Sequence, residues 1–222
     1  MSAKILVKQV DQAVVTHLAE TFDLPHFIAA TLASRGVIHD EQVERFLHPS
    51  LVRDWRDPYD IEGMEEVIER LLAALKRSAR ILVFGDFDVD GITATSIMTR
   101  GLRALGAEVI PFIPLRFEEG YGLSAKAIER VIGMNPDLVI TVDNGIAASD
   151  EVEHLKREGI EVIITDHHEP AEAVPKGVPL IDPKCGNNPS SILAGAGVAL
   201  KAIQALGARL GKPHLWRSLV DL

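Results

Sequence analysis

The rhythm of apolar positions changes near residue 80. Before it, apolar residues recur at helical spacing. The stretch Ile61–Leu75 is the clearest case: Ile61, Met64, Val67, Ile68, Leu71, Leu72 and Leu75 form one stripe, with Glu62, Glu65, Glu66, Glu69 and Arg70 opposite. That pattern predicts an amphipathic helix packed on a sheet. Beyond residue 80, short continuous runs rich in β-branched residues alternate with helical stretches. The runs Arg80–Phe84, Glu108–Ile113, Asp137–Val142 and Glu161–Thr165 predict strands, and Val178–Ile181 a short fifth. Helices are expected over Ile92–Leu105, Ser124–Gly133, Ala147–Glu158 and Ile192–Leu206, with Gly106 and Gly159 as stops. Unbroken apolar strands between helices imply an α/β fold: a mainly parallel sheet with helices on both faces. Ligands of such sheets sit beyond the carboxyl ends of the strands.

Residues 1–60 read as a small helical extension, and residues 61–222 as the α/β domain. Helical patterns span Gln12–Glu20, Pro25–Ser34 and Asp40–Leu47, with Asp40 expected as an N-cap and Arg35-Gly36 as a stop. His48-Pro49-Ser50 and Asp57-Pro58-Tyr59 punctuate the segment as turns. Residues 207–222 read as the opening of an element that does not finish.

Composition narrows the class. A chain of 222 residues with 47% hydrophobic residues can bury a sizeable core and is not disordered. No apolar run approaches the ~18 residues that a membrane span needs, and the start, MSAKILVKQV, has no secretory pattern. Cys185 is the single cysteine, so no internal disulfide can form. It reads as an ordinary loop thiol, and a cytoplasmic location is the simplest expectation. The net charge of −9 argues against a broadly basic nucleic-acid surface. It leaves open a cleft whose acids hold cations, because bound divalent ions reverse the local sign.

The chemistry lies at the strand ends. Arg80–Phe84 is followed by Gly85-Asp86-Phe87-Asp88-Val89-Asp90-Gly91, Asp137–Val142 by Asp143-Asn144-Gly145, and Glu161–Thr165 by Asp166-His167-His168-Glu169. A parallel sheet brings these ends to one edge. A single aspartate at a strand end is usually a cap or turn residue; three such ends in succession are not. Carboxylates so clustered repel unless cations neutralise them. Oxygen donors with one or two imidazoles suit Mn²⁺ or Mg²⁺ better than zinc. Two such ions would activate water and steady an in-line displacement at phosphorus. Asp143 is the expected bridging ligand, its strand being central, and Asp166 the expected orienter of His167. Extended backbone over 86–90 would put the three aspartates on one side and Phe87 and Val89 on the other. The helix opening at Ile92 would favour a phosphate.

These segments resemble the first three motifs of the DHH phosphoesterase superfamily. Other stretches are similar to its RecJ branch: Ile113-Pro114-Leu115-Arg116-Phe117-Glu118-Glu119-Gly120-Tyr121-Gly122-Leu123, Ile181-Asp182-Pro183-Lys184 and Leu193–Ala199, with Ala33–Gly36 and Phe46–Pro49 in the helical lead. The resemblance implies a single-strand-specific 5′-to-3′ exonuclease using Mn²⁺ or Mg²⁺. It implies Asp86, Asp88, Asp90, Asp143 and His167 as metal ligands, with Asp143, His167 and His168 catalytic and His168 near the scissile phosphate. Arg116 would contact the 5′-terminal phosphate, with Gly120 and Tyr121 beside it; a stacked base or a capped loop are both open for Tyr121. The implied partners are single-stranded DNA and replication or repair proteins. The family's fourth motif supplies another metal-binding aspartate, expected beyond residue 222, so this chain is expected to have weak or no processive activity alone.

Three rivals remain at this stage. A haloacid-dehalogenase-type phosphatase would use Asp86 as a nucleophile but leaves Asp90 and Asp166-His167-His168 unexplained. Another DHH activity, on oligoribonucleotides or cyclic dinucleotides, lacks a reason for the Arg116 loop. A non-catalytic RecJ-like scaffold should have lost ligands that are present here.

Overall fold

A computed structural model describes residues 8–120, 122–170, 173–186, 188 and 190–222. The chain divides into two compact units, residues 1–56 and 57–222. In the first, helices α1 (Gln12–Thr21), α2 (His26–Ser34) and α3 (Asp40–Leu47) enclose a small core of Val15, Leu18, Ala29, Leu32 and Val43. Asp11 caps α1 by accepting from Ala13 N at 2.8 Å. The expected Asp40 cap is displaced by one residue. His39 holds the cap position, in extended backbone, and Asp40 is the first helical residue.

The second unit opens with a 3₁₀ turn, Pro58–Asp60, followed by α4 (Met64–Lys76). The helix starts three residues later than the apolar stripe suggests, because Gly63 adopts a left-handed conformation that α-helix cannot continue. Ile61 is buried without being helical. The sheet contains β1 (Arg80–Phe84), β2 (Glu108–Phe112), β3 (Leu138–Val142), β4 (Glu161–Thr165) and β5 (Leu180–Ile181), in the order β2-β1-β3-β4-β5. Every pairing is parallel. The fifth strand is only two residues long.

The connecting helices are α5 (Val89–Ala104), α6 (Arg116–Glu119), α7 (Ala125–Gly133), α8 (Ser149–Arg157) and α9 (Gly195–Arg209). On one face, Leu82, Phe84, Val139, Val162 and Ile164 pack with Ile128 and Val131 of α7 and Val152 and Leu155 of α8. The alternate positions, Ile81, Val83, Ile140 and Ile163, are also fully buried, as expected for a sheet covered on both faces. Helices α4, α5 and α9 pack together on that side. Trp216 and Leu219, in a 3₁₀ turn at Leu215–Leu219, are buried as well, so the C-terminal stretch joins this layer. Among the described residues, no helix is long and apolar enough to cross a membrane.

Three differences from the expected elements shape the site. Helix α5 begins at Val89 rather than Ile92, α9 begins at Gly195 rather than Ile192, and α6 is a short helix the sequence reading did not anticipate.

Candidate metal centre

Strand β3 is the middle strand, and Asp143 follows it directly. Its backbone is left-handed, at φ +63°, which is costly for a residue with a side chain. A hydrogen bond from Asp143 N to Thr165 O at 3.0 Å holds the turn to β4. Asn144, whose Nδ2 donates to Val142 O at 2.9 Å, adds a second tie. The side chain of Asp143 is 1% exposed, and neither carboxylate oxygen accepts a hydrogen bond. Burial first, and then the carboxylates of Asp90, Asp88 and Asp166, push its pKa up to about 8.

His167 faces this carboxylate. Its Nε2 lies 3.0 Å from Asp143 Oδ1 and 3.3 Å from Asp90 Oδ2. The approach to Asp143 is close, but it is not aligned as a hydrogen bond. Donors about 2.1 Å from one octahedral ion stand about 3 Å apart at right angles. Donor atoms of Asp143, His167 and His168 all fall within 4.8 Å of one another. Unpartnered oxygens, repelling carboxylates and an imidazole nitrogen together fit a hard divalent cation such as Mn²⁺ or Mg²⁺.

Asp166 is occupied differently. Its Oδ1 accepts from His167 N at 2.7 Å and His168 N at 3.2 Å, and lies 2.7 Å from His168 Nδ1. Its Oδ2 accepts from Ile146 N at 2.9 Å. Every one of these contacts is internal, so Asp166 sets the loop and the ring of His168 rather than the expected ring of His167. A carboxylate at Nδ1 favours the tautomer with the proton on that nitrogen. The two histidine rings stand 4.6 Å apart.

The D-x-D-x-D segment is not extended, which corrects the expected one-sided row of aspartates. Asp88 is the N-cap of α5, accepting from Gly91 N at 2.9 Å, and Asp90 lies in the first helical turn. A capping aspartate ends the extended backbone and turns the chain into helix. Asp86 is fully buried, and its Oδ1 accepts from Phe87 N at 2.7 Å. Gly91 sits against it: a Cβ there would lie 2.5 Å from Asp86 O.

Asp90 has a partner no local pattern could reveal. Its two oxygens accept from Gly195 N and Ala196 N, both at 2.8 Å, at the start of α9. Asp90 thus joins two helix N-termini beside His167. Gly195 and Ala196 were not singled out as site residues from the sequence; the signal was the Gly-Ala-Gly run at 195–197, small enough for a helix start to approach another group.

Arg116 opens α6 and sets its guanidinium 4.8 Å from the centre of the Phe87 ring, next to Asp86 in the chain. Gly120 ends α6 at φ +85° and is exposed. Tyr121 lies outside the described residues.

Comparison with known proteins agrees with this architecture. The single-stranded-DNA-specific exonuclease RecJ of Bacillus subtilis (strain 168) is 39% identical, over 90% of this chain and 26% of that protein. RecJ of Escherichia coli (strain K12) is 39% identical over 83% of the chain and 32% of that protein. The chain thus spans about a quarter to a third of the length of these relatives. A crystal structure of RecJ from Thermus thermophilus in complex with Mn²⁺ superposes with a TM-score of 0.68 at 33% identity, covering 94% of this chain and 29% of that one. A crystal structure of exonuclease RecJ bound to manganese gives 0.66 at 41% identity, over 72% of this chain and 41% of that one. Residues 80–222 match the DHH family, N-terminal domain, and the chain belongs to that family.

Proposed function

We propose that this chain carries metal-binding residues of a phosphodiesterase that degrades single-stranded DNA from its 5′ end. The observation that carries the reading is Asp143: a buried carboxylate with no hydrogen bond, set against His167, whose Nε2 also reaches Asp90. The sequence kinship with single-stranded-DNA-specific exonucleases supports the substrate class; the 5′ polarity, a place in DNA repair or recombination and the cytoplasm rest on the motif resemblance alone. The manganese in RecJ crystal structures supports the ion.

In this reading Asp86, Asp88, Asp90, Asp143 and His167 would hold Mn²⁺ or Mg²⁺. Such ions supply Lewis acidity and an ionised water near neutral pH. The remaining tasks fall to the protein's own groups. Asp166 keeps Nδ1 of His168 protonated and its ring fixed, so that Nε2 can meet the scissile phosphate. Arg116, steadied on Phe87, meets the 5′-terminal phosphate with Gly120 and Tyr121. The net charge of −9 then ceases to be an objection, because the charge at the cleft is set by the ions.

Incubation with a 5′-phosphorylated single-stranded oligonucleotide and Mn²⁺ tests this. Slow, non-processive release of mononucleotides from the 5′ end is expected, and Asp143→Ala should abolish it. Release from the 3′ end, or cleavage indifferent to chelation, would overturn the reading. Calorimetry showing no bound Mn²⁺ would favour a non-catalytic relative.

A further inference from the structure

Beside the metal centre lies a cleft of about 490 Å³, large enough for a small-molecule site. Its walls are mostly apolar: Leu123 and Ala125 on one side, Ile146 and Ala147 on the other. His168, whose ring Nδ1 meets Asp166, is among its lining residues. Among the described residues no lysine or arginine lines it, whereas Glu151 and Glu169 do. Lys184 partly offsets Glu169, at 3.1 Å. The start of α7 would by itself favour a phosphate, but these carboxylates oppose an anion there. A neutral, flat heterocycle fits both the apolar walls and the acids, which can accept hydrogen bonds from its N–H edges.

We propose that this cleft seats the nucleobase of the nucleotide adjoining the scissile phosphate. The inference rests on the phosphodiesterase reading given above, and it adds a task for residues that reading leaves idle. The base lies between the start of α7 and the loop after β3, and its phosphate reaches His168. Binding is tolerant of sequence, because an apolar slot recognises the face every base shares. The slot also favours a flexible single strand, since a paired and stacked base cannot enter it.

The test compares two 5′-phosphorylated dinucleotides joined by a phosphorothioate, one carrying thymines and one abasic, each titrated calorimetrically into the Mn²⁺-loaded chain. The abasic form should bind at least about tenfold more weakly. Ala125 and Ala147 are exposed, so Ala125→Phe and Ala147→Phe can fill the slot without disturbing the core. Both variants should bring the thymine form down to the abasic level, with Mn²⁺ binding and melting temperature unchanged. Equal affinity for the two dinucleotides, or no effect of either variant, overturns the base site and leaves the phosphodiesterase reading standing. Failure of both dinucleotides to bind in the presence of Mn²⁺ overturns the two together.

Discussion

Gly195 stands directly against Asp143: a Cβ added at 195 would lie 2.5 Å from Asp143 Oδ1. The start of α9 therefore reaches the metal centre only because residue 195 has no side chain, and that closeness lets Gly195 N and Ala196 N bind Asp90. Gly195→Ala should displace either the carboxylate or the helix. Overpacking of this kind costs about 1–3 kcal/mol. A matching fall in melting temperature is expected, with at least about a tenfold loss in Mn²⁺ affinity by calorimetry. Gly133→Ala is the control, since a Cβ there meets nothing within 4 Å. Unchanged Mn²⁺ binding in Gly195→Ala would separate α9 from the metal centre.

Asp143 gives the site a pH dependence of definite sign. Its pKa is pushed up to about 8, chiefly by burial and then by Asp90, Asp88 and Asp166. The metal-free fold thus prefers the protonated acid, and loses stability as pH rises from the ordinary carboxylate range through about 8. A metal needs the ionised form, so binding must release that proton. Mn²⁺ affinity should rise up to about tenfold per pH unit between about pH 6 and about pH 8, then level off. Calorimetry in buffers of different ionisation enthalpy counts the proton directly. An affinity flat across that range would show that Asp143 is already ionised without metal.

The sheet and the three acidic strand ends were legible because each is local: an apolar run, then its turn. The edge strands followed the same logic less well. Val178–Ile181 shrinks to Leu180–Ile181, where pairing to β4 alone decides the length. The alternation of Asp86–Asp90 in sequence suggests extended backbone, and the structure differs. Asp88 instead caps α5, a choice set by its bond to Gly91 N rather than by periodicity. The partners of Asp90 lie 105 and 106 residues away. No spacing rule could supply them, and only the stacking of α5 on α9 brings them together.

Asp166 offers a way to separate holding metal from aiming His168. Its oxygens receive backbone donors from Ile146, His167 and His168, and Oδ1 also meets the ring Nδ1 of His168. Asp166→Asn keeps one carbonyl oxygen but loses the charge and one acceptor. Stability should fall by about 1–3 kcal/mol. Cleavage should fall roughly ten- to a hundredfold, while the number of Mn²⁺ ions bound stays the same. The pH profile should change with it, since the carboxylate no longer fixes the tautomer of His168. Loss of bound Mn²⁺ instead would make Asp166 a ligand.

Asp182 works against the fold at neutral pH. It is fully buried just beyond β5; its Oδ1 accepts from Lys184 N at 2.8 Å, while Oδ2 has no hydrogen-bond partner. Burial first, and the nearby carboxylate of Asp166, raise its pKa to about 6, although the bond from Lys184 N pulls the other way. A folded pKa above the unfolded one means that ionisation weakens the fold, and the loss accumulates as pH rises from about 4 to about 6. Asp182→Asn keeps the Oδ1 acceptor and removes the charge. In chelator at about pH 7.5 it should be more stable than the parent by about 3 kcal/mol, and at about pH 4 most of the difference should vanish. Urea unfolding at the two pH values measures this. If the variant is the less stable one at the higher pH, the charge is being used, and the facing groups that could use it are the Lys184 ammonium and His168.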